Sequence, residues 1–113
     1  MRSKIIALSK NEEFKSLLKK KKISNKYVTI FFGSLNNKSK NKLNISFVAK
    51  KKLGNAIKRN KIKRRLRNIM NDAVKKISIK LSYSYLVIAK PTMLNSEFNN
   101  IKKTLIQEFE RIK

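Results

Sequence analysis

The sequence contains no cysteine, no histidine and no tryptophan, and it has only two glycines and one proline among its 113 residues. Without cysteine there can be no disulfide scaffold and no thiol nucleophile. Without cysteine and histidine the usual ligands of a structural zinc site are missing, and imidazole acid–base catalysis is excluded. These absences imply a partner more strongly than they imply a reaction.

Acidic residues are scarce, because six Asp and Glu stand against 30 Lys and Arg, which gives a net charge of +24. The 58 residues from 14 to 71 carry 19 basic residues and no acid. Charge of this density repels itself, and a polyanion would relieve the repulsion. The dispersed acids form no cluster able to hold the metal ions of a nuclease. We therefore expect no catalytic and no metal-binding residue in this chain.

Long hydrophobic runs are missing too. The longest are a few residues, such as Leu86–Val87–Ile88–Ala89, whereas a helix that crosses a bilayer needs roughly 20. No segment resembles a signal peptide. We expect a cytoplasmic protein that does not bind a membrane. With 41% hydrophobic residues, residues 1–113 are expected to form a single domain with a modest core.

The hydrophobic pattern predicts a small α+β fold with the order α-β-β-α-β-α. In chain order we expect a helix at Asn11–Leu18, strands at Tyr27–Phe32 and Leu43–Ala49, a helix at Ala56–Ile79, a strand at Ser84–Ala89, and a helix opened by Ser96. The first two strands should form an antiparallel hairpin with a polar loop at 36–41. The run Lys19–Lys22 is interpreted as an exposed turn. Alternation should place one of Phe31 and Phe32 in the core.

Arginine is concentrated in one segment. Four of the six arginines, Arg59, Arg64, Arg65 and Arg67, fall within nine residues. Guanidinium offers a planar fork that matches phosphate, which an ammonium cannot do. On the predicted helix Arg59, Lys63 and Arg67 form a row along the axis, and Asn60 and Arg64 form a second row beside it. Ten of the 18 residues from Lys50 to Arg67 are basic.

Three classes of polyanion could relieve this charge. A membrane-surface helix needs a broad apolar face with aromatic residues free to insert, and the narrow apolar stripe here is needed for the core. A DNA-reading helix is expected to follow the first helix of a helix-turn-helix, which is not recognisable. DNA binding nevertheless stays possible, and composition alone also leaves open a small ribosomal or general RNA-binding protein.

One segment, KKLGNAIKRNKIKRRLRNI (51–69), resembles the signature of the bacterial ribonuclease P protein component. That family pattern is a Lys-Lys, Gly, Ala-Val, Arg-Asn, Lys-Arg and Leu-Arg series. LSKNEEFKSLL (8–18) is similar to the family's first helix, with its Asn-x-x-Phe, and SYLVIAKP (84–91) is similar to its late strand, which usually ends Ala-Arg-Pro. The resemblance covers nearly the whole chain.

The resemblance implies an α/β sandwich with a left-handed βαβ crossover. It implies the accessory protein subunit of an endoribonuclease, in which the RNA subunit and Mg²⁺ perform the cleavage that removes the 5′ leader of precursor tRNA. The implied partners are the ribonuclease P RNA and precursor tRNA, with Mg²⁺ held mainly by the RNA and no small-molecule substrate.

The family's functional positions can be carried over residue by residue. The positions implied to contact the catalytic RNA are Arg59, Asn60, Lys63, Arg64, Arg67, Lys51 and Lys52. Those implied to line the leader cleft are Phe14, Leu18, Ile30, Lys50 and Lys90. Leu18 and Ile30 stand where Phe and Tyr are usual, and Lys90 stands where Arg is usual. Fewer aromatics mean less base stacking, so leader binding should depend more on backbone contacts.

Overall fold

A computed structural model describes residues 5–6, 11–35 and 42–112 and contains a mixed sheet with helices on both faces. The elements are β1 (Ile5–Ile6), α1 (Asn11–Leu18), β2 (Lys21–Ser24), β3 (Val28–Gly33), β4 (Leu43–Val48), α2 (Ala56–Lys76), β5 (Ser84–Ala89) and α3 (Phe98–Arg111). Two short 3-10 turns lie at Lys51–Leu53 and Pro91–Leu94. The α+β class is confirmed, as are the bounds predicted for α1 and β5.

The strand order is β1-β4-β5-β3-β2, and this order makes the predicted hairpin wrong. Strand β5 lies between β3 and β4, antiparallel to β3 and parallel to β4. The connection from β4 through α2 to β5 is thus a βαβ unit, whose left-handedness stays a prediction of the resemblance. The hairpin failed because sequence neighbours need not be sheet neighbours when a crossover strand inserts between them. The predicted loop at 36–41 lies outside the described residues.

The lysine run Lys19–Lys22 contains the beginning of a strand, so its interpretation as a turn is wrong in part. Lys21 and Lys22 belong to β2, where they pair with Phe32 and Phe31 of β3. Strand β2 lies at the edge of the sheet, and exposed lysines there oppose pairing with another chain. The charge of the run concealed a strand whose backbone, rather than its side chains, joins the sheet.

The larger core lies between one face of the sheet and helices α2 and α3. Alternation sends Ile30 and Phe32 of β3, with Tyr85 and Val87 of β5, toward this face. The Tyr85 hydroxyl donates a hydrogen bond to the carbonyl of Lys80 at 2.7 Å, and burial raises the pKa of this phenol. This core anchors α2 from beneath and fixes which of its sides faces outward.

The opposite face of the sheet carries only α1 among the described helices. Leu17 of α1 is completely buried against Leu86 of β5. The half-buried hydrophobic residues packed around this pair are Phe14, Phe31, Leu35, Val48 and Ile88. One short helix covers only part of a five-stranded sheet, so a strip of sheet beside α1 stays open. Within the described residues, no helix has the length and hydrophobicity to cross a membrane.

Candidate nucleic-acid interface

A glycine and an asparagine determine where α2 begins. Gly54 follows the 3-10 turn with φ +130°, a conformation that side chains rarely adopt. A Cβ there would also lie 2.9 Å from the Lys58 side chain. Asn55 caps the helix, because its Oδ1 accepts a hydrogen bond from the Lys58 backbone N–H at 3.0 Å. The chain therefore enters α2 in one defined direction, which sets the rotation of every residue after it.

The buried stripe of α2 confirms the predicted helical period. It consists of Ile62, Leu66, Ile69, Met70 and Ala73, all 3% exposed or less. The helix ends at Lys76 rather than Ile79, with Ile77 as its C-cap. Because a stripe this narrow leaves most of the circumference uncovered, α2 presents two basic flanks, one on either side of it.

We call the first flank the motif face, and it consists of Arg59, Asn60, Lys63, Arg64 and Arg67. Asn60, Arg64 and Arg67 are exposed, whereas Arg59 and Lys63 are half-buried beside the stripe. Spacings of three, four and eight residues bring all five to the same side of the helix. The five predicted RNA contacts therefore form one continuous donor surface.

The side chain of Arg59 holds an unpaired hydrogen-bond donor of the motif face. Its Nε is buried and has no hydrogen-bond partner within the described part of the chain. A buried donor left unpaired costs about 1–3 kcal/mol. Such an exception in a packed structure calls for an explanation, and sites of function are where these exceptions are often found.

Ile57 is a member of this surface that the sequence reasoning missed. It is 79% exposed, the most exposed of the large hydrophobic side chains in the described residues. It lies one turn before Asn60 and two turns before Arg64, on the outer side of α2. The signal was available: Ile57 falls outside the stripe that runs through Ile62 and Leu66.

Three lysines lead into the positive end of α2. Lys50 precedes the 3-10 turn, Lys51 and Lys52 lie within it, and all three are exposed. The first turn of α2 contains no acid, so nothing offsets the partial positive charge of the helix N-terminus. Lys51 and Lys52 thus add positive charge at the beginning of α2, and their contact with RNA stays a prediction.

The second predicted surface is the strip of sheet beside α1, which we call the cleft. Its apolar residues are Phe14 of α1, Phe31 of β3, Val48 of β4 and Ile88 of β5. Strand pairing sets Ile88 opposite Thr29 and Val48, so the strip crosses three strands. Apolar and aromatic groups half-exposed on an open sheet can stack on the bases of a single strand.

The assignment of Ile30 to the cleft is wrong. Ile30 is completely buried in the core beneath α2 and α3, because neighbouring residues of a strand point to opposite faces. Phe31, one residue later, faces the cleft, and the ammonium of Lys22 lies 5.9 Å from its ring centroid. The cleft therefore has a second aromatic, and the expected lack of stacking groups is smaller than the sequence suggested.

The remaining predicted cleft residues differ in their exposure and in whether their polar groups are already hydrogen-bonded. Leu18 is 49% exposed at the end of α1, and Lys50 is exposed two residues beyond Val48. Lys90 is half-buried, and its ammonium donates to the Ser24 hydroxyl at 2.6 Å and to the Asn25 carbonyl at 2.5 Å. Lys90 thus joins the end of β5 to the turn after β2 and keeps one N–H for a ligand.

Two of the acidic side chains, Asp72 and Glu108, take part in hydrogen bonds with other elements. The Lys102 ammonium donates to the Asp72 carboxylate, and this hydrogen bond, with the charges of Lys102 and Lys76, holds the pKa of Asp72 below its ordinary value of 3.8. Glu108 accepts from the Asn25 amide at 3.1 Å. In the described residues no three His, Cys, Asp or Glu side chains lie together.

Comparison with known proteins shows the family to which this chain belongs. The model of the ribonuclease P protein family matches residues 3–113. The chain is 35% identical over 98 residues to the ribonuclease P protein component of Mesoplasma florum, across 87% of this chain and 86% of that one. It is 32% identical over 105 residues to the component of Bacillus pumilus, across 92% and 85% of the two chains.

Solved structures agree in fold. The RNase P protein of Thermotoga maritima superposes with a TM-score of 0.80 over 96% of this chain and 98% of that one, at 22% identity. The RNase P protein of Staphylococcus aureus gives 0.77 over 94% and 93%, at 26% identity.

Proposed function

Because this chain belongs to the ribonuclease P protein family, as a subunit of an RNA-processing endoribonuclease with an RNA partner, we propose a specific division of labour for it. The motif face binds the catalytic RNA, and the cleft holds the 5′ leader of precursor tRNA. The protein thereby raises affinity for precursor over mature tRNA. The general RNA-binding or ribosomal protein that composition left open is superseded by the family membership.

The observation that carries this proposal is the geometry of the motif face. Five donor side chains lie on one side of a helix whose other side is anchored in the core. No acid interrupts the surrounding 58 residues. Binding there requires no rearrangement of the backbone, so little of the interaction energy is lost in ordering. A phosphate acceptor that draws Arg59 outward would also relieve its unpaired Nε.

The cleft supports the proposed binding of the leader, because its surface is apolar and aromatic where the motif face is cationic. Phe14 and Phe31 offer ring faces, and Val48 and Ile88 an apolar surface between them. Exposed Lys22 and Lys50 lie at its borders, where they can meet a phosphate backbone. A single strand exposes both bases and phosphates, whereas a duplex hides its bases. The cleft is therefore suited to a leader rather than to a helical stem.

Among the described residues, no cluster of side-chain oxygens offers a site suited to Mg²⁺. Mg²⁺ prefers carboxylate, carbonyl and water oxygens, whereas both surfaces present ammonium and guanidinium groups, and the described acids do not cluster. We propose that the partner RNA holds Mg²⁺ and performs the cleavage. The protein lowers the Mg²⁺ requirement by neutralising RNA phosphates, and we place it in the cytoplasm with its substrate.

Reconstitution tests the proposal. The purified protein is combined with a bacterial ribonuclease P RNA and precursor tRNA at low Mg²⁺, and leader release is measured. Cleavage should require the RNA and increase when the protein is added. Cleavage by the protein alone would contradict the assignment of catalysis to the RNA, and no increase would contradict the proposed role of the protein.

A further inference from the structure

The second basic flank of α2 borders a pocket that the motif face and the cleft do not include. The pocket has a volume of about 300 Å³. Its walls are Lys58, Lys61 and Arg65 of α2 on one side and Leu94 and Asn95 of the turn after β5 on the other. On the helix, Lys58, Lys61 and Arg65 lie across the buried stripe from Lys63 and Arg67, by the 3.6-residue period.

The floor of the pocket is apolar. Ile62 and Met93 line it and are 3% and 1% exposed, so they are fixed by the core. Leu94 forms part of the rim and is 41% exposed, one of three large hydrophobic side chains that the described structure leaves open to this degree. Leu94 therefore adds an accessible apolar surface to a rim whose other side chains are charged or polar.

The polar groups of the pocket complement one class of ligand. Three cations and no acid line it, which favours an anion. The guanidinium of Arg65 can also stack on a planar ring, and the side-chain amide of Asn95 both donates and accepts hydrogen bonds. A bare phosphate would use the cations and leave the apolar floor and the amide without a role.

We propose that this pocket binds one unstacked nucleotide of single-stranded RNA, an inference that rests on the proposed RNA-binding function. Lys58 and Lys61 meet the phosphate. The base lies against Leu94 and the Arg65 plane, with Asn95 at its edge. Because the pocket and the motif face flank the same stripe, an RNA that engages both contacts α2 from two sides.

The test uses the free full-length chain and adenosine 5′-monophosphate as the probe, with inorganic phosphate as the second ligand at matched ionic strength. Backbone amide shifts are followed by NMR. The nucleotide should shift the amides of Lys61, Arg65 and Asn95 and bind at least fivefold more tightly than phosphate. Equal affinities for the two ligands, or nucleotide shifts confined to the motif face, would overturn the proposal.

Two variants assign the binding to the base. Leu94→Ala should weaken nucleotide binding at least fivefold and leave phosphate binding unchanged, since losing an apolar contact of about 1 kcal/mol lowers affinity about fivefold. Arg65→Lys keeps the charge and should give the same selective loss. Gln107→Ala, an exposed position on α3, is the control. If both Leu94→Ala and Arg65→Lys bind the nucleotide like the wild type, the pocket is not the site.

This measurement is independent of the proposed function, because no ribonuclease P RNA is present. Nucleotide binding in the pocket with failed reconstitution would contradict the division of labour proposed above and leave the pocket intact. Successful reconstitution without nucleotide binding would contradict the pocket proposal and leave the proposed division of labour intact.

Discussion

The motif face and the cleft of this protein are built in different ways. The motif face depends on one helix, whose caps, stripe and cations all lie within residues 55–77. The cleft is assembled from α1 and three strands, whose residues are separated by up to 74 positions along the chain, from Phe14 to Ile88. A surface carried by one element survives small changes elsewhere, whereas a surface shared by four elements depends on the packing between them. The following experiments probe that difference.

Leu17→Ala should give the largest effect, and it should damage the cleft alone. Leu17 is completely buried and joins α1 to Leu86, and removing a buried leucine side chain costs about 2–5 kcal/mol. Hydrogen exchange should show α1 opening while the amides of α2 stay protected. Discrimination between precursor and mature tRNA should fall and affinity for the RNA subunit should hold. An equal loss of both would show that the two surfaces are not independent.

The double change Arg64→Ala and Arg67→Ala should give the next largest effect, on the motif face alone. Each lost charge-assisted hydrogen bond is worth about 1.5–3 kcal/mol, so affinity for the ribonuclease P RNA should fall about 100-fold or more at low salt. The dependence of log K on log salt should flatten by about 0.7–0.9 per lost phosphate contact. Arg111→Ala removes the same type of charge from an exposed position on α3 and should leave the slope unchanged.

Phe31→Ala tests the corrected composition of the cleft. It should reduce precursor tRNA discrimination about 5-fold or more, as Phe14→Ala should too, because stacking on one base contributes about 1–3 kcal/mol. Ile30→Val, one residue away, alters only the core and should cost about 0.5–1.5 kcal/mol of stability. Fluorescence titration with precursor and mature tRNA separates the two. If Ile30→Val changed discrimination and Phe31→Ala did not, the assignment of the strand faces would be wrong.

Ile57→Ala separates apolar from ionic contacts on the motif face. Burying an isoleucine side chain fully is worth about 1.5–3 kcal/mol, so losing part of that contact should weaken RNA binding by a few-fold. The salt slope should not change, because no charge is removed. A salt titration of wild type and variant provides the measurement, and an affinity identical to wild type would exclude Ile57 from the RNA contact.

The smallest effect is expected from Asp72, which lies on α2 beyond the motif face. The pKa of its carboxyl is held below 3.8 in the folded chain by the hydrogen bond from Lys102. A depressed pKa stabilises the fold above the unfolded value and loses this contribution as pH falls through the folded one. Asp72→Asn should therefore lose less stability than wild type between pH 5 and pH 2, by chemical unfolding. A steeper loss of stability in the variant than in the wild type would contradict the predicted stabilising role of the Asp72 carboxylate.

Features carried by one element were predicted from the sequence better than features that depend on contacts between elements. Helix α2 was predictable because its stripe, from Ile62 to Ala73, repeats within one element, and the arginine cluster lies beside it. Strand β5 was predictable as an apolar run that ends at Lys90 and Pro91. Strand β2 was missed because its lysines carry no hydrophobic signal; it joins the sheet through backbone hydrogen bonds, which any side chain allows.

Two features followed from the sequence alone, the excess of positive charge and the arrangement of donors along α2, because they depend on residue identity and on the helical period. Only the tertiary structure decided that β5 lies between β3 and β4, that Phe31 rather than Ile30 faces α1, and that Leu94 meets Arg65 across a pocket. The reason is that strand order and helix placement arise from long-range packing. In a strand, a shift of one residue in the assigned position exchanges the buried face for the open one.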